Sequence, residues 1–302
     1  MPVRVPDLSD FSTIDCGDEI TLGDRRFRIT GFEKERRFGM EDPKFWVKRA
    51  TDIDTGERKL LKFAFFETFD TTVGGVRIRC FRNPEKESAI LEKMKDHPSF
   101  MQGHSFRDNK GNNIRVLDIV RGPSFFIKIG SLAMDHHTYF QTRLADILFR
   151  LRRAFGAIRS LHLNTLKHGD IRNDHIIVER QTGNYVWIDF DYDYDAPENP
   201  FSLDLLGMGN ILLYAMGKGF HEIHNIAADP AYYGDLTDRI DINDFSLLDR
   251  SRLVNLKKIY PYIPEGLNDI LMHFSRGSTV FYETIDEFME DLNNAVAGFC
   301  LT

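Results

Sequence analysis

The sequence predicts an α+β fold in two successive parts. Strand-like segments dominate up to Ile129, and helical periodicity takes over after Gly130-Ser131. A third observation marks where chemistry is expected: acidic residues gather at the ends of two short apolar stretches within 166–191. The chain has 302 residues, 42% of them hydrophobic, enough to bury a sizeable core. Its formal charge of −7 excludes a broad nucleic-acid-binding face, which needs clustered Lys and Arg. Cys16, Cys80 and Cys300 lie far apart without a C-x-x-C pair, so a reducing, cytoplasmic setting is expected. The start, MPVRVPDLSDF, has no apolar core behind its basic residue, and no apolar run approaches the ~20 residues of a membrane helix. Neither export nor a membrane partner is expected.

In chain order, residues 1–24 read as an extension, 25–129 as a β-rich lobe with one helix, and 130–302 as a mainly helical lobe. Strands are expected at 25–32, 45–51, 58–66, 113–120 and 124–129, with Asp54 to Glu57 turning the second into the third. Pro84 opens a helix whose apolar residues are Ala89, Ile90, Leu91 and Met94, and His97-Pro98 follows it. Leu144, Ile147, Leu148, Leu151, Ala154, Phe155, Ile158 and Leu161 form one apolar stripe on a long helix. Leu203 to Met216 and Leu267 to Val296 also read as helices. A cleft between the two lobes is the default place for a ligand.

The chemistry-bearing segment runs His168-Gly169-Asp170-Ile171-Arg172-Asn173-Asp174-His175, then two apolar strands around Thr182-Gly183-Asn184, then Asp189-Phe190-Asp191. Pairing those strands brings Asp170, His175, Asp189 and Asp191 close, and hard ligands of this kind suit Mg²⁺ with phosphate oxygens. The alternative for HxD with nearby acids is a solvated loop.

Read in order, these segments resemble the protein-kinase-like superfamily. Residues 54–63 are similar to that family's turn and third strand, ending in a phosphate-holding lysine, here Lys62. Residues 87–98 look like its helix C, making Glu87 the ion-pair partner of Lys62. Ser160-Leu161-His162 before His168-Gly169-Asp170 resembles the approach to its catalytic loop. Asp189-Phe190-Asp191 stands where DFG is expected, Asp204 with Gly209 fits the start of its buried helix F, and 263–271 with 282–292 look like the closing helices of bacterial eukaryotic-like serine/threonine kinase domains. The resemblance covers about residues 25 to 296. It implies a bilobal kinase-like fold and an ATP- and divalent-metal-dependent phosphotransferase acting on a hydroxyl of a protein or small molecule. Asp170 would be the base and Arg172 would neutralise the transferring group. Lys62 and Glu87 would position the nucleotide, and Asp189 with His175 or Asp191 would hold Mg²⁺ or Mn²⁺. Asp204 would hold the catalytic loop's backbone.

The chain departs from that family in several places. Where a glycine-rich phosphate cover belongs there are only Gly31 and Gly39, and Arg36 and Arg37 read as solvated loop residues. His175 replaces the asparagine of the second metal site, and a neutral imidazole favours Mn²⁺ or Zn²⁺ over Mg²⁺. Asp191 replaces the DFG glycine, either adding metal-binding charge or remaining an exposed acid. The short link from Asp189 to Asp204 lacks a peptide-docking platform. Together with HGD it is similar to aminoglycoside and choline kinases, and Gly169 removes the arginine that would read a phosphorylated loop. A pseudokinase that binds nucleotide or a partner without turnover is the alternative, and AMP transfer from a reversed ATP ranks below it. The remaining histidines, including His136 and His137, read as surface residues.

Overall fold

A computed structural model describes residues 8, 10–37 and 40–299. The architecture is α+β, and contacts divide it into two compact units: Met1–Thr68 with Phe81–Arg121, and Phe69–Cys80 with Gly122–Thr302. The sequence reading puts that division at 129/130. In the structure Val178 donates its amide to the Pro123 carbonyl (2.9 Å), and a side chain at Gly122 would lie 1.9 Å from the Val178 carbonyl, so this stretch packs with the second unit.

The strands up to Asp118 are β1 (Glu19–Leu22), β2 (Arg25–Arg37), β3 (Met40–Asp52), β4 (Arg58–Phe63), β5 (Thr68–Val73), β6 (Val76–Arg82), β7 (Gly103–Arg107) and β8 (Asn113–Asp118). The first unit is built on an antiparallel sheet in the order β1-β2-β3-β4-β8-β7. One face is apolar: in β2, Phe27 and Ile29 are buried while Arg26, Arg28 and Thr30 are exposed, the period-two pattern of a one-sided sheet. Leu61, Phe63, Ile114 and Val116 complete that core, and Leu8 and Ile14 join it. The described residues before 25 are therefore part of the unit: β1 pairs with β2, and Lys48 Nζ donates to the Ile14 carbonyl at 2.8 Å.

The 52–57 turn closes as expected, with Asp52 Oδ1 accepting the amides of Asp54 and Thr55 at 3.0 and 3.1 Å. Arg36 and Arg37, read as loop residues, instead lie on a strand paired with Glu41 and Met40; Gly39 is outside the described residues. Helix α1 (Pro84–Lys93) is capped by Asn83, whose side chain accepts the Lys86 amide, and Pro84 fills the first turn where no amide partner is needed.

The second unit contains α2 (Phe125–Gly130), α3 (His136–Thr142), α4 (Leu144–Leu163), the hairpin β9 (Ile176–Val178) and β10 (Tyr185–Trp187), β11 (Tyr192–Asp195), α5 (Ser202–Gly217), short helices α6 (Ile223–Ala228), α7 (Pro230–Tyr233) and α8 (Leu236–Arg239), then α9 (Glu265–Met272) and α10 (Ile285–Phe299). Every residue of the expected α4 stripe is buried. The strand expected at 124–129 is helix α2 instead. Ser124 caps it by accepting the Ile127 amide, and burial of Phe125 and Ile129, four apart, suits a helical face.

The β5–β6 hairpin was not anticipated, although Gly74-Gly75 between alternating segments is a hairpin signal; both glycines have positive φ, 59° and 88°. A three-stranded sheet in the order β11-β6-β5 follows from it. Among the described residues, no helix is long and apolar enough to cross a membrane.

Candidate functional site

In the first unit the sequence-predicted pair belongs to a larger charge cluster. Lys62 lies on the sheet face opposite Leu61 and Phe63, yet only 3% of it is exposed, and its Nζ is 3.0 Å from Glu87 Oε1. The other carboxylate oxygen, Oε2, accepts from Arg115 Nε at 3.0 Å. Arg115 stands directly opposite Lys62 in the β4–β8 ladder and also donates to the carbonyls of Asn113 and Phe63. Like charges opposite one another in a sheet repel. Here a single carboxylate carried on α1 bonds both, and Glu87 and Arg115 are fully buried. Sequence reasoning missed Arg115, although an arginine inside the apolar run of β8 is the signal of a paired buried charge.

The second unit organises residues 168–191 around another buried carboxylate. Helix α5 is apolar nearly all round and buried, and Asp204 sits in its first turn. Asp204 Oδ2 accepts the His168 amide at 2.7 Å and Oδ1 the Gly169 amide at 2.9 Å, while His162 Nε2 lies 3.1 Å from Oδ2. Burial alone would raise its pKa, but the His162 hydrogen bond, the charges of His162 and His168 and the Gly169 amide outweigh that and hold it below the ordinary value. Asp204 thus fixes the backbone just before Asp170. His162, the donor from α4, was quoted from the sequence without this role. Gly169 has φ of 88°, which a residue with a Cβ rarely adopts.

The β9–β10 hairpin brings Asp170, His175 and Asp189 together. His175 Nδ1 lies 2.8 Å from the Asp170 carbonyl and 3.4 Å from Asp170 Oδ2, and its Nε2 is 3.9 Å from Asp189 Oδ2. A carbonyl only accepts, so Nδ1 carries a proton, and Nε2 lies on the Asp189 side. Burial pushes the Asp170 carboxyl above the ordinary range, with Asp189 acting in the same direction and His175 and Arg172 opposing. Asp189 has φ of 64°, a backbone state uncommon outside glycine and concentrated at functional sites. Phe190 is fully buried, edge-on to His168 at 5.4 Å between ring centres.

Arg172 is held by Asp174 at 2.6 Å, and its NH1 is 3.9 Å from Asp170 Oδ2. Asp191 is only 1% exposed, which excludes the exposed-acid alternative. Asp193 pairs with Lys167 at 3.1 Å, so the acidic run after Phe190 is in part built into β11. Among the described residues, no three His, Cys, Asp or Glu side chains converge on one point as a complete metal-ligand set. The surface reading of His136 is corrected: it is buried, stacked on Tyr260 with ring centres 3.5 Å apart, and bonds the Met216 carbonyl and the Tyr262 hydroxyl. His221 is buried as well. Packing against tyrosines from distant segments is what the sequence could not display.

No protein-family model matches the chain, and no curated protein matches it in sequence.

Proposed function

We propose that this chain is a phosphotransferase of the protein-kinase-like kind, with a bilobal kinase-like fold, transferring the γ-phosphate of ATP to a hydroxyl. The observation that carries the reading is the buried Lys62–Glu87 pair, a strand lysine held by a helix carboxylate at 3.0 Å, because kinases use this pairing to aim an ammonium at nucleotide phosphates. Asp170 accepts the proton of the attacking hydroxyl. Its raised pKa suits that work, since a more basic carboxylate is a better proton acceptor near neutral pH. The hydroxyl oxygen bonds the γ-phosphorus while the bond from γ-phosphorus to the β–γ bridging oxygen breaks, leaving ADP. Arg172 supplies positive charge beside Asp170 as charge redistributes over the phosphoryl oxygens.

The donor set fits a divalent cation. Asp189 offers a carboxylate, and His175 offers Nε2 because its other nitrogen is bonded to a backbone carbonyl, the second contact typical of ligating histidines. Mg²⁺ sites of this class use one or two protein ligands and complete their shell with phosphate oxygens and water, while the imidazole tilts the preference towards Mn²⁺. When bound, the cation neutralises the phosphate oxygens.

The test is ATP turnover with Mg²⁺ and with Mn²⁺ against panels of proteins and small alcohols, beside Asp170→Asn. The variant is expected to lose about 10²-fold or more in turnover while keeping the metal-dependent thermal shift caused by ATP, which Lys62→Ala should abolish. Unchanged turnover in Asp170→Asn would remove Asp170 from the role of base. A second reading, a nucleotide-binding module without turnover, is favoured by His175 in place of the second-metal asparagine and by the scarcity of glycine between residues 31 and 47. A thermal shift with ATP but no turnover with either metal would select it.

A further inference from the structure

We propose that a groove lying wholly within the second unit is a docking site for a basic peptide segment of a partner protein, one that places an apolar side chain between flanking Lys or Arg. The groove measures about 1000 Å³ and runs between the tip of the β5–β6 hairpin, residues 195–202 and residues 281–284 ahead of α10. Its interior is apolar, with Val73, Ile78, Leu205, Leu206 and Phe274 among its walls. At the rim two apolar side chains stand in solvent, Val76 at 60% and Phe281 at 45% exposure. Exposed apolar surface around a concave floor marks an interaction site.

The charges choose the occupant. Asp195, Glu198 and Glu283 line the groove, are exposed, and have no ion-pair partner among the described residues. The one arginine in the lining, Arg77, is bonded to Asp70 on the same hairpin. The rim is therefore acidic and uncompensated, which suits a cationic partner and repels nucleic acid or an anionic membrane. The chain's own charge of −7 argues against a second copy as the occupant. The walls are tied before any partner arrives: Asn199 Nδ2 donates to the Glu283 carbonyl at 2.8 Å, joining two sides of the groove. Such preorganisation lowers the cost of binding.

The site does not depend on the phosphotransferase reading, and its test uses neither nucleotide nor metal. A fluorescein-labelled peptide with a Leu-Phe centre between runs of arginine is titrated with the full chain, and anisotropy is read at low and at physiological salt. Saturable binding is expected, weakened about tenfold or more in Glu198→Lys with Glu283→Lys, weakened by Phe281→Ser at both salt concentrations, and changed less than about twofold by a control reversal, Glu92→Lys with Asp238→Lys. A control reversal that weakens binding as much as the groove pair would reduce the effect to overall charge and overturn the proposal. So would absence of saturable binding. A wild-type dimer in sedimentation equilibrium that the groove pair dissociates would assign the groove to a second copy instead. If circular dichroism shows that the groove pair disturbs folding, a photoreactive benzoylphenylalanine at the peptide's centre decides on the wild-type chain. Cross-links to 196–202 or 281–284 support the site, and cross-links elsewhere overturn it.

Discussion

Each unit is organised around one fully buried carboxylate, and the two are satisfied in opposite ways. Glu87 is bonded by two side-chain cations, Lys62 and Arg115, that face each other across a strand pair. Asp204 is bonded by two backbone amides, His168 and Gly169, and one imidazole, His162. The first arrangement joins charge: one carboxylate bonds two buried cations that stand opposite each other. The second stores geometry: it pins a backbone segment whose own amides have no strand or helix to pair with. A lysine's position is set by the first kind of anchor, and a loop's path by the second.

Breaking the first anchor should have the larger effect. Glu87→Ala removes the carboxylate that Lys62 and Arg115 share, and loss of one partner from a buried ionic cluster typically costs about 3–5 kcal/mol. Urea unfolding measures this, and Glu87→Ala combined with Arg115→Met should recover part of the loss, because it removes one of the two charges that Glu87 bonds. A cost below about 1 kcal/mol would mean the cluster is solvated and not dependent on Glu87. Breaking the second anchor should cost less. Asp204→Asn keeps an acceptor for one of the two amides, so the expected loss is about 1.5–3 kcal/mol, the range for hydrogen bonds to a charged group. Its distinguishing readout is local: hydrogen exchange at the amides of His168 and Gly169 should accelerate, whereas in Glu87→Ala those two amides should keep their relative protection.

The same contrast explains what could be read from the sequence. Lys62 and Glu87 were legible through the family resemblance, as a third-strand lysine and a helix-C glutamate, and both lie on regular elements. Arg115 was missed because cross-strand register is a tertiary fact, although its place amid Ile114 and Val116 hinted at burial. Asp204's service to the loop was legible only through the family resemblance, since its partners are amides that carry no sequence signature. The helix at Phe125–Gly130 was read as a strand because a short apolar run fits either element, and only the Ser124 cap separates them. Burial of Asp191, His136 and His221 likewise depends on what packs over them from distant segments.

Acid titration gives the smallest expected signal and the most specific one, because the two carboxylates of the second unit have opposite signs. Asp204 has a folded-state pKa below its ordinary 3.8, so between that depressed value and 3.8 the unfolded chain binds more protons. Its contribution to stability is complete above 3.8 and is lost as pH falls through the folded value. Asp170 has a folded-state pKa above 3.8, so its contribution is complete below 3.8 and is lost as pH rises through the folded value. The stability gap between the wild type and Asp204→Asn should therefore narrow as pH falls below 3.8. Asp170→Asn, freed of a half-buried carboxylate, should be more stable than the wild type at neutral pH and lose that advantage in acid. Urea midpoints of the three proteins from pH 3 to pH 7 measure both slopes. An Asp170→Asn protein less stable than the wild type at neutral pH would show that Asp170 is held by favourable bonds in its ionised form, and would place it with Asp204 as a structural anchor.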